Sequence, residues 1–119
     1  MTLVNRSADC GNSPKNKMAE NIAVALEIRD GEFLATILVS DALWNYVGGT
    51  LNTAKGVLDH LASLNKPKSL TIDLVMSHGK VGAVNGIATY GNSAHRFCYV
   101  IEFTSAKCNQ VCRIESYDG

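Results

Sequence analysis

Near Pro67 the apolar residues of this 119-residue chain stop recurring every third or fourth position and begin to alternate, and the alternation persists to the C-terminus. No other feature constrains the fold as much. A chain with its long helices before one point and its long strands after it cannot interleave them, as a doubly wound parallel sheet does. It must segregate its helices to one side of a sheet, which is an α+β architecture. The length provides for one domain core and not two.

Before the switch, Ser13-Pro14 supplies an N-cap and a proline at the first helical position. Met18, Ile22, Ala25 and Leu26 then repeat at helical spacing until Asp30-Gly31. Phe33 to Leu38 has the periodicity of a second helix, ending near Ser40-Asp41. Leu43-Trp44-Asn45-Tyr46-Val47 reads as a short strand stopped by Gly48-Gly49. Asn52 or Thr53 caps a third helix, which buries Val57, Leu58, Leu61 and Leu64 and cannot pass Pro67.

After the switch, Leu70, Ile72, Leu74 and Met76 are expected on one face of a strand, with Thr71, Asp73 and Ser77 on the other. His78-Gly79 turns the chain into a strand from Val81 to Tyr90, and Gly91-Asn92 turns it again. Arg96 to Thr104 is the third long strand, and Val111 to Tyr117 follows a loop over Ser105 to Asn109. Phe97 to Ile101 is apolar on both faces, so helices must cover one face and something else the other, for which a second subunit is the expected cover. Residues 1–12 carry no pattern and are expected to form a flexible N-terminal segment, with 13–119 the single domain.

Eleven basic side chains balance eleven acidic ones, which leaves no net field to gather nucleic acid or an anionic membrane surface. No apolar run is long enough to cross a bilayer, and the polar start lacks the apolar middle of a signal peptide, so a cytoplasmic protein is expected. Cys10, Cys98, Cys108 and Cys112 read as reduced thiols, because a lone C-x3-C without a second Cys or His pair falls short of a metal site. Gly48-Gly49 and Gly79-x-x-Gly82 are turn and bulge glycines, with no strand, glycine loop and helix order to cradle phosphate. Neither a cofactor nor a metal is expected.

The order of elements, together with Asp30-Gly31-Glu32, Ser40-Asp41-Ala42-Leu43-Trp44, Lys55-Gly56 and the closing Val111-x-x-Ile114-x-x-Tyr117-Asp118, resembles the nuclear transport factor 2-like superfamily. The likeness is greatest to its SnoaL-like and ketosteroid isomerase-like branch, and it spans Ser13 to Asp118. It implies a cystatin-like cone, a curved antiparallel sheet with three N-terminal helices packed on its concave face. In the ketosteroid isomerase pattern a tyrosine donor on the first helix falls at or near Val24, and the base on the first strand falls at Asn45 or Tyr46. A protonated aspartic acid on the third long strand falls at Tyr99, so none of the three identities is retained. The aspartate base of SnoaL-type cyclases falls near Ser116.

The same resemblance gives the strands a facing direction. Trp44 and Tyr46, then Ala83, Asn85 and Ile87, then Phe97, Tyr99 and Ile101, and finally Ile114, Ser116 and Asp118 are expected to point into the cone. Of these, Trp44, Tyr46, Asn85, Phe97, Tyr99, Ile114 and Ser116 are the candidate ligand-binding residues, a few hydrogen-bonding groups among apolar walls. Asp118 and His78 are the catalytic candidates, the first as an inward carboxylate and the second as a titratable group at the cone's mouth. His60 and His95 read as surface residues, and Asp73 and Glu102 as outward-facing members of ion pairs.

Three functions stay open: a module binding a small, mostly apolar organic ligand, an isomerase, dehydratase or cyclase-type proton-transfer enzyme, and a dimerisation module without a ligand. The homodimer is expected to form through the outer face of the sheet, where Cys98 and Val100 are apolar. A carboxylate or histidine in hydrogen-bond reach of Tyr99 within a roomy cavity favours the enzyme. A dry, closed cone favours the third function.

Overall fold

The structure is a computed structural model, and it describes residues 2–8 and 13–118. A short strand β1 (Leu3–Asn5) precedes helix α1 (Pro14–Ile28). Ser13 caps α1 by accepting a hydrogen bond from the Asn16 amide, and Pro14 takes the first helical position. Arg29 ends the helix in the left-handed conformation, with φ 64°. The Asp30 carboxylate then caps α2 (Gly31–Ile37) through the Phe33 amide, and the chain runs directly into β2 (Leu38–Tyr46). After the short β3 (Gly49–Leu51), Thr53 caps α3 (Ala54–Ala62). The remaining strands are β4 (Ser69–His78), β5 (Val81–Tyr90), β6 (Ser93–Phe103) and β7 (Val111–Asp118).

The strands form one curved sheet in the order β1-β4-β5-β6-β7-β2-β3. The sheet is mixed rather than wholly antiparallel, since β1 runs parallel to β4 and β2 parallel to β7. Residues 3–5, within the segment expected to be flexible, pair with Ser69, Leu70 and Thr71 and so engage backbone groups of the β4 edge. Cys10 lies outside the described residues, while Cys98, Cys108 and Cys112 are free thiols. The three helices pack on the concave face, and their apolar stripes merge with the inward side chains of the strands into one core.

Cross-strand register shows which side chains share that face. Val84 stands opposite Tyr99, and Tyr99 opposite Ser116; in the next row Gly86, Phe97 and Asp118 align. Ile101 and Ile114 align in the row nearer the core, with Trp44 beside Ile114 on β2.

Two strands depart from the expected alternation. On β4 the register slips between Ile72 and Leu74, so that Asp73 is an extra residue and every later side chain changes face. Val75 is consequently buried, and Leu74 and Met76 are exposed. On β5 the inward residues are Gly82, Val84, Gly86 and Ala88, so Ala83, Asn85 and Ile87 face outward. The reason is steric. A Cβ on Gly82 would lie 2.8 Å from the Ala19 Cβ of α1, so the approach of α1 to β5 requires the smallest residue on the inner face.

The outer face is left with Leu74, Met76, Val81 and Tyr117 exposed around the half-buried Ala83, Cys98 and Val100. Asp73 pairs with Arg96 and Glu102 with Lys80 at its margins, both facing away from the cone.

Candidate functional site

Between the inner face of the sheet and the ends of α1 and α3 lies a cavity of about 660 Å³, within the ordinary range for a small-molecule site. Its depth is set by β6 and β7, which place Phe97, Tyr99 and Ser116 on one face, and by Ala88 of β5. Trp44 stands beside them on β2, only 3% exposed, and its indole N–H donates to Ser116 Oγ at 2.8 Å. Because an indole nitrogen can only donate, the serine oxygen is the acceptor and its own proton is left for another partner.

The polar corner comes from α1. Glu27, 7% exposed, reaches into the cavity one helical turn beyond Val24. Tyr99 donates its hydroxyl to Oε1 at 2.7 Å, and Tyr90 donates to Oε2 at 2.9 Å. Arg29 closes the group from behind. Its Nη2 donates to the Tyr90 oxygen at 3.1 Å, while Nη1 and Nε donate to the carbonyls of Leu26 and Asn65. The left-handed turn that ends α1 is what swings this guanidinium back over the helix end.

Burial, reinforced by the Glu27 charge, pushes the Tyr99 hydroxyl well above the ordinary phenol range. The same causes push Tyr90 up to about 12. Both phenols therefore stay protonated, as neutral donors holding a carboxylate from two sides.

An aromatic wall completes the site. Tyr46 stacks on His60 of α3 with ring centroids 4.9 Å apart, and Trp44 meets the same imidazole edge-on at 5.5 Å. At the rim, His95 lies edge-on to Tyr90 at 5.7 Å, and Val47, Gly48 and Asp118 border the entrance.

Of the candidate ligand-binding residues, Trp44, Tyr46, Phe97, Tyr99 and Ser116 line the cavity. Ile114 shares their face but is buried in the core behind them. Asn85 is on the opposite side of the sheet, in register with Leu74 and Cys98, because β5 runs in the other phase. Asp118 borders the cavity as an exposed rim residue. His78 sits outside it, exposed and paired with Val81 on the outer face, as the β4 bulge dictates. Glu27 and Tyr90 carry no role in the sequence reading, and His60 and His95, expected at the surface, both line the cavity. Glu27 had a signal, being a carboxylate embedded in the apolar run Val24-Ala25-Leu26 and Ile28, one turn from the position where the resemblance expects a donor. Among the described residues no group of three or more His, Cys, Asp or Glu side chains gathers as a metal site.

No family model and no curated protein sequence matches the chain. Solved structures do. An NTF-2 like protein of unknown function from Burkholderia xenovorans superposes with a TM-score of 0.73 at 16% identity, covering 88% of this chain and 83% of that one. A candidate ketosteroid isomerase from Kribbella flavida gives 0.75 at 17% identity, over 88% and 77% of the two chains. A candidate SnoaL-like polyketide cyclase from Shewanella putrefaciens gives 0.73 at 14% identity, over 93% and 84%. At these identities the likeness is one of architecture, and the sheet order, helix placement and open cone agree with it. The chain has the nuclear transport factor 2-like fold.

Proposed function

We propose that the cone takes up a small, mostly apolar organic molecule. The observation that carries this reading is the cavity of about 660 Å³, whose floor is Phe97, Trp44 and Ala88 and whose polar groups converge at one corner. A side-chain-filled cone would have served a purely structural module. The test is titration with an uncharged, environment-sensitive dye such as Nile red, following the emission of Trp44, the chain's only tryptophan. Saturable quenching at one dye per chain is the expected result, and unchanged emission up to the dye's solubility limit rules the reading out.

A second reading, proton transfer on the bound molecule, is favoured by the Glu27 carboxylate bonded to Tyr99 inside that cavity. The carboxylate would take the proton, and Ser116 could donate its free O–H to a developing negative charge. Nitrobenzisoxazole tests for such a base without knowledge of the natural substrate. A proton leaves its ring carbon for the carboxylate, the C–H electron pair completes a nitrile, and the N–O bond breaks to release a phenolate. Acceleration by the wild type that is lost in Glu27→Gln supports the reading, and equal rates refute it.

We also propose that two copies associate through the outer sheet face, where apolar side chains are exposed. The even charge balance and free thiols suit a cytoplasmic setting. No helix among the described residues is long and apolar enough to cross a membrane.

A further inference from the structure

We infer that the molecule received by the cone carries an organic cation, a protonated or quaternary amine on an apolar body, seated against Glu27 and the rings of Phe97, Tyr99 and Trp44. The inference rests on the ligand-binding reading above and adds to it the charge of the ligand. A carboxylate able to act as a base is also able to act as a counter-ion, and it is the second property that selects the ligand.

Three observations converge. Glu27 is almost fully buried, yet among the described residues both groups that donate to it are neutral phenols, so its charge is hydrogen-bonded without a cation in direct contact. The cations that line the cavity already have partners other than the carboxylate itself. Arg29 uses Nε and Nη1 on backbone carbonyls and Nη2 on the Tyr90 oxygen, which leaves it one phenol removed from the carboxylate. Arg96 borders the cavity but turns its guanidinium toward Asp73, 3.6 Å away, and Asp118 adds a second carboxylate at the rim. His60 and His95 are engaged in ring contacts with Tyr46 and Tyr90.

The third observation is the wall. Phe97, Tyr99, Trp44 and Tyr46 all line the cavity, in two ring pairs with centroids 5.6 and 5.7 Å apart, so that an occupant meets several aromatic side chains at once. Ring faces attract a desolvated cation lying within about 6 Å of the centroid. A neutral occupant would gain from the apolar walls but would strip water from the Glu27 charge without replacing it. An anion would face both carboxylates. Only a cation gains from the rings and the carboxylate together, and the low dielectric of the filled cavity strengthens that attraction.

Three compounds of one shape and different charge test this: benzyltrimethylammonium, neopentylbenzene and benzylsulfonate, each titrated against wild type and Glu27→Gln with Trp44 emission as the readout. The cation is expected to bind the wild type roughly tenfold or more tightly than its neutral isostere, with the sulfonate weakest, and to lose that preference in Glu27→Gln. Equal binding, a preference for the neutral or anionic compound, or a cation preference that survives in Glu27→Gln overturns the inference while the ligand-binding reading stands. Exclusion of all three overturns it too, and the ligand-binding reading falls with it only if the uncharged dye is also excluded. Should Glu27→Gln fail to fold, the wild-type ranking alone decides.

Discussion

The Tyr99 hydroxyl donates to Glu27 Oε1 at 2.7 Å, joining the middle of strand β6 to the last turn of helix α1 across the depth of the cone. In the ketosteroid isomerase pattern that the chain resembles, the acid is on the strand and the tyrosine on the helix. Here the carboxylate is one turn past Val24 on the helix and the phenol is on the strand. The phenol and the acid therefore meet between the same two elements.

Removing that hydroxyl should be costly. Tyr99→Phe deprives a buried carboxylate oxygen of its donor, and hydrogen bonds to charged groups contribute about 1.5–3 kcal/mol. Urea unfolding should show a loss in that range for Tyr99→Phe and a smaller one for Tyr90→Phe, whose hydroxyl lies nearer solvent. A Tyr99→Phe change within about 0.5 kcal/mol, the ordinary scatter of surface substitutions, would mean that the bond does not form.

The same pair makes stability sensitive to alkali. A phenol whose folded pKa is raised holds its proton when the unfolded chain, titrating near 10, has already lost it. The unfolded state therefore binds fewer protons above pH 10, and stability falls as pH rises from there through about 12. The fully buried Tyr99 should contribute a slope of at most about 1.4 kcal/mol per pH unit. Chemical unfolding at a series of alkaline pH values should give a steep decline in wild type and a shallower one in the Tyr90→Phe/Tyr99→Phe double variant. Parallel curves would contradict the assignment.

Much of the cone was legible in the sequence. The helices and their caps at Ser13 and Thr53 follow from local chemistry, and β6 alternates cleanly, so Phe97, Tyr99 and Ile101 were placed on the correct face. What escaped was nonlocal. The Asp73 bulge has no strong marker of its own, and beyond it the exposed Leu74 and Met76 mimic an inward stripe. On β5 the inward positions include Gly82, crowded by Ala19 of α1, and Gly86, crowded by the Thr71 backbone and Phe97, so the bulkier side chains such as Ile87 lie on the outer face and mimic an inward stripe. Glu27 was hidden in an apolar helix because its partners, Tyr90 and Tyr99, lie 63 and 72 residues away in sequence.

Gly82 offers a check on that packing account. Gly82→Ala places a methyl 2.8 Å from the Ala19 Cβ, and such overpacking typically costs about 1–3 kcal/mol. Pairing it with Ala19→Gly should recover part of the loss, and a double variant no more stable than Gly82→Ala alone would argue that the strain lies elsewhere.

The outer face makes a prediction about assembly. Val100 lies at its centre, half-buried in the single chain and in register with Ala83 and Glu115. Wild type should sediment as a dimer at high micromolar concentration, and Val100→Glu should shift it to a folded monomer. A wild type that stays monomeric under those conditions removes the proposed interface.

The most direct measurement of the central claim is a comparison of dye binding by wild type and Ala88→Phe. Ala88 lines the cavity from β5 and is 1% exposed, so a phenyl ring there fills the space that a ligand would occupy. The account predicts that wild type binds Nile red saturably with quenching of Trp44, and that Ala88→Phe, with circular dichroism unchanged, does not. Equal binding by the two folded proteins would show that the dye sits elsewhere and would contradict the assignment of this cavity as the site.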